Sequence, residues 1–151
     1  MEYASLSWMS APPTHLGLLD NIQRKALKII GVDQDTASTT LSIDGLSHRR
    51  QVAAATVLYK MHNPYCPRDL QDMLPPPYIR RRTTRLCTAM PEHALSPPGS
   101  NTRTLDRTFL HTAVQVWNSL PEHVVDSITD NGLQAFKRRV HRHLLTTPHT
   151  Y

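Results

Sequence analysis

The stretch LSHRRQVAAATVLYKMH, residues 46–62, decides the fold of this chain. On a helical wheel its polar residues form a narrow stripe of Arg49, Thr56 and Lys60, and apolar side chains cover most of the remaining circumference. A helix that is apolar nearly all round belongs in the middle of a bundle. We therefore predict that residues 46–62 form a central helix that other elements enclose.

Residue types that favour helix ends lie at both ends of this stretch. The hydroxyl of Ser47 is a good N-cap, because it can accept a hydrogen bond from a free N–H of the first turn. Asn63-Pro64 is expected to end the helix, because the proline ring disfavours a helical residue before it.

Other segments carry one apolar face each and could pack around the central helix. Thr14 is the expected N-cap of the first helix, and Gly31 is its expected end. The polar residues 32–45 that follow are expected to form a loop. The expected apolar face of the first helix comprises Leu16, Leu19, Ile22, Ala26, Ile29 and Ile30. Strand-like alternation does not persist over a useful length. We predict an all-α domain, a small bundle of about four main helices, whose other members are residues 14–30, 105–120 and 133–145, with a short helix within 67–74.

Two segments lie outside this helical pattern. Residues 1–13 are expected to be the end of a preceding element, because Tyr3 and Trp8 open the chain with no lead-in. Residues 75–102 are rich in Pro, Ser, Thr and Arg, which predicts a long connection over the surface. We predict that residues 1–151 form a single helical domain, a fragment of a larger protein.

Composition narrows the class of protein. The 151 residues carry a formal net charge of +5, and 13 of the 17 basic residues are Arg, which favours bidentate phosphate contacts. Two cysteines are a poor disulfide framework, so an intracellular compartment, nucleus or cytoplasm, is expected. No apolar run approaches the ~20 residues that a membrane span needs, so no membrane partner is expected.

Ligand spacing gives little support for a metal site or a cofactor. His62 and Cys66 stand four apart, but no second pair of ligands matches them. His141 and His143 are two apart, and on a helix such side chains diverge. We predict no metal and no cofactor.

Catalytic motifs are equally scarce. The sequence contains no Gly-x-Ser-x-Gly, no His-Glu-x-x-His and no glycine-rich phosphate loop. Asp69 and Asp72 stand one helical turn apart, and we interpret them as surface charges. We therefore predict no catalytic residue.

Two basic segments could contact the phosphates of RNA or DNA. One is the run YIRRRTTR at residues 78–85, and the other is the last predicted helix. Either could equally be a solvated surface. The candidate nucleic-acid-binding residues are Arg80, Arg81, Arg82, Arg85, Lys137, Arg138, Arg139 and Arg142.

Several segments, in this order, resemble one known family. They are EYASLSW (2–8), LLDNIQRKALKIIG (18–31), residues 46–62, RTFLHTAVQVWNSLPEHV (107–124) and LQAFKRRVHRHLL (133–145). The order and spacing resemble the C-terminal region of the reverse transcriptase polyprotein of non-LTR retrotransposons of the jockey type. The most characteristic groups are Ile22-Gln23-Arg24, His48-Arg49-Arg50, Leu58-Tyr59-Lys60 and Trp117-Asn118-Ser119-Leu120-Pro121.

The resemblance implies a part of that polyprotein without its catalytic centre. The family's aromatic-Ala-Asp-Asp motif, its endonuclease and the Cys/His knuckle of some relatives have no counterpart in this sequence. The implied function is a helical appendage after the polymerase thumb that helps to hold template RNA or target DNA. The thumb and palm of the parent protein are then partners. The start at Met1 suggests a truncated element copy or a gene fragment. The alternative is a structural packing domain with no nucleic-acid binding of its own.

Overall fold

The computed structural model describes residues 6–7, 9–79, 91–125 and 132–146. Within these ranges the regular structure is helical, apart from one isolated bridge, and the predicted all-α class is confirmed. None of the described helices combines the length and the apolarity needed to cross a membrane. The helices are α1 (Pro13–Ile30), α2 (Gln34–Leu41), α3 (Leu46–Met61), α4 (Arg68–Gln71), α5 (Arg103–Asp106), α6 (Phe109–Ser119), α7 (Glu122–Val125) and α8 (Gly132–Thr146).

Helix α3 lies at the centre, as its composition predicts. It packs against α6, α8 and α1, and between Gln51 and Met61 only Lys60 is exposed. The helix begins at Leu46 with Gly45 as N-cap, so the predicted capping role of Ser47 is wrong. The buried residues of α3 are Leu46, Arg50, Val52, Ala54, Ala55, Leu58, Tyr59 and Met61.

Aromatic rings from three helices meet in the core. Trp117 of α6 is 1% exposed and stacks on His62 at the end of α3, with ring centroids 4.9 Å apart. Phe136 of α8 lies 6.0 Å from Trp117 and stacks on Tyr59 of α3 at 4.4 Å. Each large ring therefore joins two elements, which makes the interior one continuous core.

Helix α6 also fixes the segment that precedes it. The side-chain amide of Asn118 accepts a hydrogen bond from Leu95 N and donates one to Leu95 O, both at 2.9 Å. Trp117 Nε1 donates to the carbonyl of His93 at 3.1 Å. Leu95 also forms an antiparallel bridge with Pro77. Part of the proline-rich connection is therefore held against the helical core.

Helix α1 is rotated relative to the expected apolar face. Gln23 and Leu27 are its buried residues, whereas Ile22 is 51% exposed and Ile29 is 87% exposed. The physical reason is a polar contact, because Gln23 Nε2 donates to the buried backbone carbonyl of Asp44 at 3.0 Å. This hydrogen bond turns the Gln23 side of α1 towards α3.

The prediction for the start of α1 is wrong, and the prediction for its end is confirmed. The helix begins at Pro13, with Pro12 as N-cap, so Thr14 is not the cap. Gly31 ends the helix as predicted, in the left-handed conformation with φ 81°. Val32 N then donates to Leu27 O, which satisfies a carbonyl of the last turn.

Two further boundaries differ from expectation. The polar segment 32–45, expected to be a loop, contains α2, because Ala37 is completely buried and anchors it. The helix expected over 105–120 is divided into α5 and α6 by Thr108, which has an extended ψ of 151°. The Thr108 hydroxyl donates a hydrogen bond to Leu105 O at the end of α5, and the Thr108 carbonyl accepts one from Thr112 N in the first turn of α6. Thr108 therefore forms hydrogen bonds with both helices.

Truncating the central tryptophan tests the core. Trp117→Ala is expected to lower the free energy of unfolding by ~3–5 kcal/mol, because the ring is buried against three other rings. The measurement is urea unfolding followed by circular dichroism. Tyr65→Ala is the matched control, because Tyr65 is 94% exposed and its loss should change little. A cost below about 1 kcal/mol for Trp117→Ala would contradict this packing.

Candidate functional site

Helix α8 carries the basic residues predicted to contact nucleic acid. Phe136, Val140 and Leu144 are buried and fix the helix against α3. Lys137, Arg138 and Arg142 are exposed. Because the buried apolar residues fix the rotation of α8 about its axis, the exposed cations point to solvent from a helix that is packed on the core.

Arg139 differs from these neighbours. It is half-buried, and its Nε and Nη2 atoms are shielded from solvent without a hydrogen-bond acceptor among the residues that the structure describes. Reaching a phosphate would require its side chain to turn outward. Arg138 and Arg142 are therefore better placed than Arg139 for a phosphate contact.

The other predicted cluster, Arg80, Arg81, Arg82 and Arg85, lies outside the described residues. Tyr78, beside it, is 38% exposed. Binding by this cluster stays a prediction.

A second basic surface lies on the outer side of α1. Arg24, Lys25 and Lys28 are exposed there, and with Leu18 and Ile22 they line a shallow cavity of about 460 Å³. Leu18 and Ile22 are themselves 60% and 51% exposed. This surface combines cations with accessible apolar side chains.

A larger cavity of about 670 Å³ lies between the start of α3, α8 and residues 6–7. Part of its wall is apolar, including Val52 and Val57. Its polar and charged lining comprises Ser7, Asp44, His48, Arg49, Arg50, Thr56, Lys137 and His141.

Arg50 on this wall is a buried cation with an identified partner. Its Nη2 lies 3.4 Å from Asp20 Oδ1 of α1, and the exposed fractions of the two side chains are 8% and 36%. The contact connects α1 to α3 beside the Gln23 hydrogen bond.

Asp44, His48 and His141 come together on the same wall. His48 Nε2 and His141 Nδ1 are 2.9 Å apart, and His141 Nδ1 is 3.6 Å from Asp44 Oδ2. Ser38 Oγ donates to the other carboxylate oxygen, Asp44 Oδ1, at 2.8 Å. Partial burial lowers the pKa of His48 from its ordinary value, because desolvation outweighs the opposing effect of the Asp44 charge.

No pattern in the sequence indicates this cluster. His48 and His141 are 93 positions apart, so no local ligand spacing connects them. Their proximity follows from the packing of α8 on α3. The pairs that spacing did suggest, His62 with Cys66 and His141 with His143, do not form a group of three metal-ligating residues in the described part of the chain.

Comparison with known proteins gave no match to a family model, to a curated protein or to a solved structure.

The Asp20–Arg50 contact can be tested by mutation. Asp20→Ala should lower the free energy of unfolding by about 1–3 kcal/mol, because it leaves the buried Arg50 guanidinium without its carboxylate. The value should lie towards the low end, since Asp20 is partly exposed and water screens the pair. Asp72→Ala, at an exposed position, is the control in the same urea titration. Equal stability of the two variants would show that Arg50 needs no partner.

Proposed function

We propose that this chain is a non-catalytic nucleic-acid-binding domain, derived from the C-terminal region of a non-LTR retrotransposon reverse transcriptase. The observation that carries the binding proposal is α8, where exposed Lys137, Arg138 and Arg142 lie on a helix whose opposite side is buried. A helix held in this way presents its cations without the cost of ordering a loop.

Charge and residue type support the same partner. The formal net charge is +5, and arginine prevails among the cations. Guanidinium groups match phosphate oxygens in a bidentate geometry and lose less freedom per hydrogen bond than lysine. The proposed contacts are to the phosphate backbone, which gives affinity without sequence preference.

The assignment to a reverse transcriptase rests on the resemblance of the sequence segments. Two of its characteristic groups carry out structural tasks in this fold. Trp117 and Asn118 join α6 to the core and to Leu95, and Arg50 joins α3 to Asp20 of α1. We expect residues with these structural tasks to keep the same helical framework in the family that the sequence resembles. The polymerase thumb and palm are the proposed partners of this framework in the parent protein.

The expected absence of polymerase activity is directly testable. The sequence lacks the aromatic-Ala-Asp-Asp motif that would place carboxylates for two-metal chemistry. We expect the purified chain not to extend a primer on an RNA template with Mg²⁺ or Mn²⁺, in a gel assay with an active reverse transcriptase as positive control. Template-dependent extension that co-purifies with the chain through several columns would contradict this expectation.

Nucleic-acid binding is tested on α8. The double variant Arg138→Gln/Arg142→Gln should weaken binding to a single-stranded or hairpin RNA, because each lost phosphate contact releases one fewer counterion. The slope of log affinity against log salt should flatten by about one unit per lost contact. Fluorescence anisotropy at several salt concentrations measures both quantities.

The matched control is Arg103→Gln/Arg107→Gln, which removes the same charge from two exposed positions with the same spacing. Stability should change by about 0.5 kcal/mol or less in either variant, since all four sites are exposed. The proposal fails if the wild-type chain does not bind RNA or DNA at low salt. An equal effect of the two double variants would mean that net charge, and not α8, determines binding.

The outer side of α1 favours a second function, a packing domain for a protein partner. Leu18, Ile22, Ile29 and Ile30 are all more than half exposed. Neighbouring apolar side chains that remain accessible are typical of protein–protein contact surfaces. An absence of nucleic-acid binding in the anisotropy experiment would make this packing function the better proposal.

A further inference from the structure

We propose that Asp44, His48 and His141 form a binding site for a divalent transition-metal ion, with Zn²⁺ as the preferred ion, that joins α3 to α8. The inference does not depend on nucleic-acid binding. It runs against the sequence-based expectation of no metal site, which considered only ligands close together in the chain.

The spacing of the three ligand atoms fits one ion. Around tetrahedral zinc, with bonds of about 2.0–2.2 Å, neighbouring ligand atoms stand about 3.3–3.6 Å apart. The separation of His141 Nδ1 from Asp44 Oδ2 is 3.6 Å, at the upper end of that range, and its separation from His48 Nε2 is shorter, at 2.9 Å. All three ligand atoms lie within 4.8 Å of one another. Because the His141 side chain is 41% exposed, it has room for the shift that would lengthen the 2.9 Å contact with His48.

The ligand chemistry favours zinc over the hard cations. Two imidazoles and one carboxylate match the nitrogen and oxygen ligands of zinc sites, whereas Mg²⁺ and Ca²⁺ prefer oxygen alone. Imidazole binds a metal in its neutral form, and a carboxylate binds in its ionised form, so the three side chains together supply the donor atoms that such an ion takes.

Surrounding groups hold the carboxylate in position. Ser38 Oγ donates a hydrogen bond to Asp44 Oδ1, so the other carboxylate oxygen, Oδ2, is the one that would bind an ion. The Asp44 carbonyl accepts hydrogen bonds from Gln23 Nε2 and Arg49 Nε, at 3.0 and 3.1 Å. Metal ligands in proteins commonly have such outer partners, which fix their orientation.

The site would have three protein ligands and one open coordination position. All three ligands line the 670 Å³ cavity, so water has access to the fourth position. The ligands come from the segment before α3, from α3 and from α8. A bound ion would therefore link elements that are distant in sequence, and it should stabilise the fold.

The experiment begins with the full chain stripped of metal. Isothermal titration with Zn²⁺ alone is expected to show one tight site, and the melting temperature should rise when Zn²⁺ is present. Mg²⁺ at the same concentration should do neither. Either His48→Ala or His141→Ala should weaken Zn²⁺ binding by at least about 100-fold, since loss of an outer partner already costs about 10- to 100-fold. Ser38→Ala should weaken it by about 10-fold.

Two control variants address other ligands. His123→Ala removes an exposed histidine on α7. Cys66→Ser removes one member of the His62–Cys66 pair, which stands at a possible ligand spacing in the sequence. Both should keep wild-type affinity. Loss of the tight site in Cys66→Ser, with no effect of His48→Ala, would overturn the proposal.

A measurement on the wild-type chain covers the case in which a histidine variant does not fold. In ¹⁵N spectra of the histidine rings, Zn²⁺ should shift the His48 Nε2 and His141 Nδ1 signals together, at one equivalent. The competing explanation of the 2.9 Å contact is a hydrogen bond between the two rings only. Unchanged ring signals, or no tight binding of Zn²⁺ to the wild-type chain, would exclude the metal site and leave the hydrogen bond as the explanation of the contact.

Discussion

The enclosure of α3 is the constraint on which the rest of the structure depends. Its apolar circumference leaves only a narrow polar stripe, so α1, α6 and α8 must cover it on several sides. The large rings of α6 and α8 fill the space between these helices, with Trp117 and Phe136 both almost completely buried. The loss of any one of the covering helices would leave part of α3 in contact with water, at a cost proportional to the apolar area exposed.

The same enclosure forces polar groups into partly buried positions, and their partners organise the start of α3. Arg50 reaches Asp20, and the Asp44 carbonyl accepts from Gln23 and Arg49. These contacts determine the rotation of α1, whose isoleucines consequently face outward. A buried polar group costs free energy unless it is hydrogen-bonded, so these contacts specify one arrangement more than they add stability.

Periodicity was sufficient to predict the helical class and the central position of residues 46–62, because both depend on how apolar each segment is. Periodicity failed where one long-range polar contact decides the packing, as at Gln23, which rotates α1 away from its expected inner face. On α8 the exposed positions of Arg138 and Arg142 follow from the amphipathic pattern, but the half-buried Arg139 does not. The His48–His141 contact could not be predicted from sequence, since only the packing of α8 on α3 creates it.

The central position of α3 has a consequence for synthesis of the chain on the ribosome. About 70 residues separate the end of α3 from the start of α8, which covers one of its sides. At roughly 5–20 residues per second, α8 is made on the order of ten seconds after α3. During that interval the nascent chain carries an apolar helix without its full cover. Folding of this protein inside cells should accordingly depend on chaperones that bind such segments while translation continues.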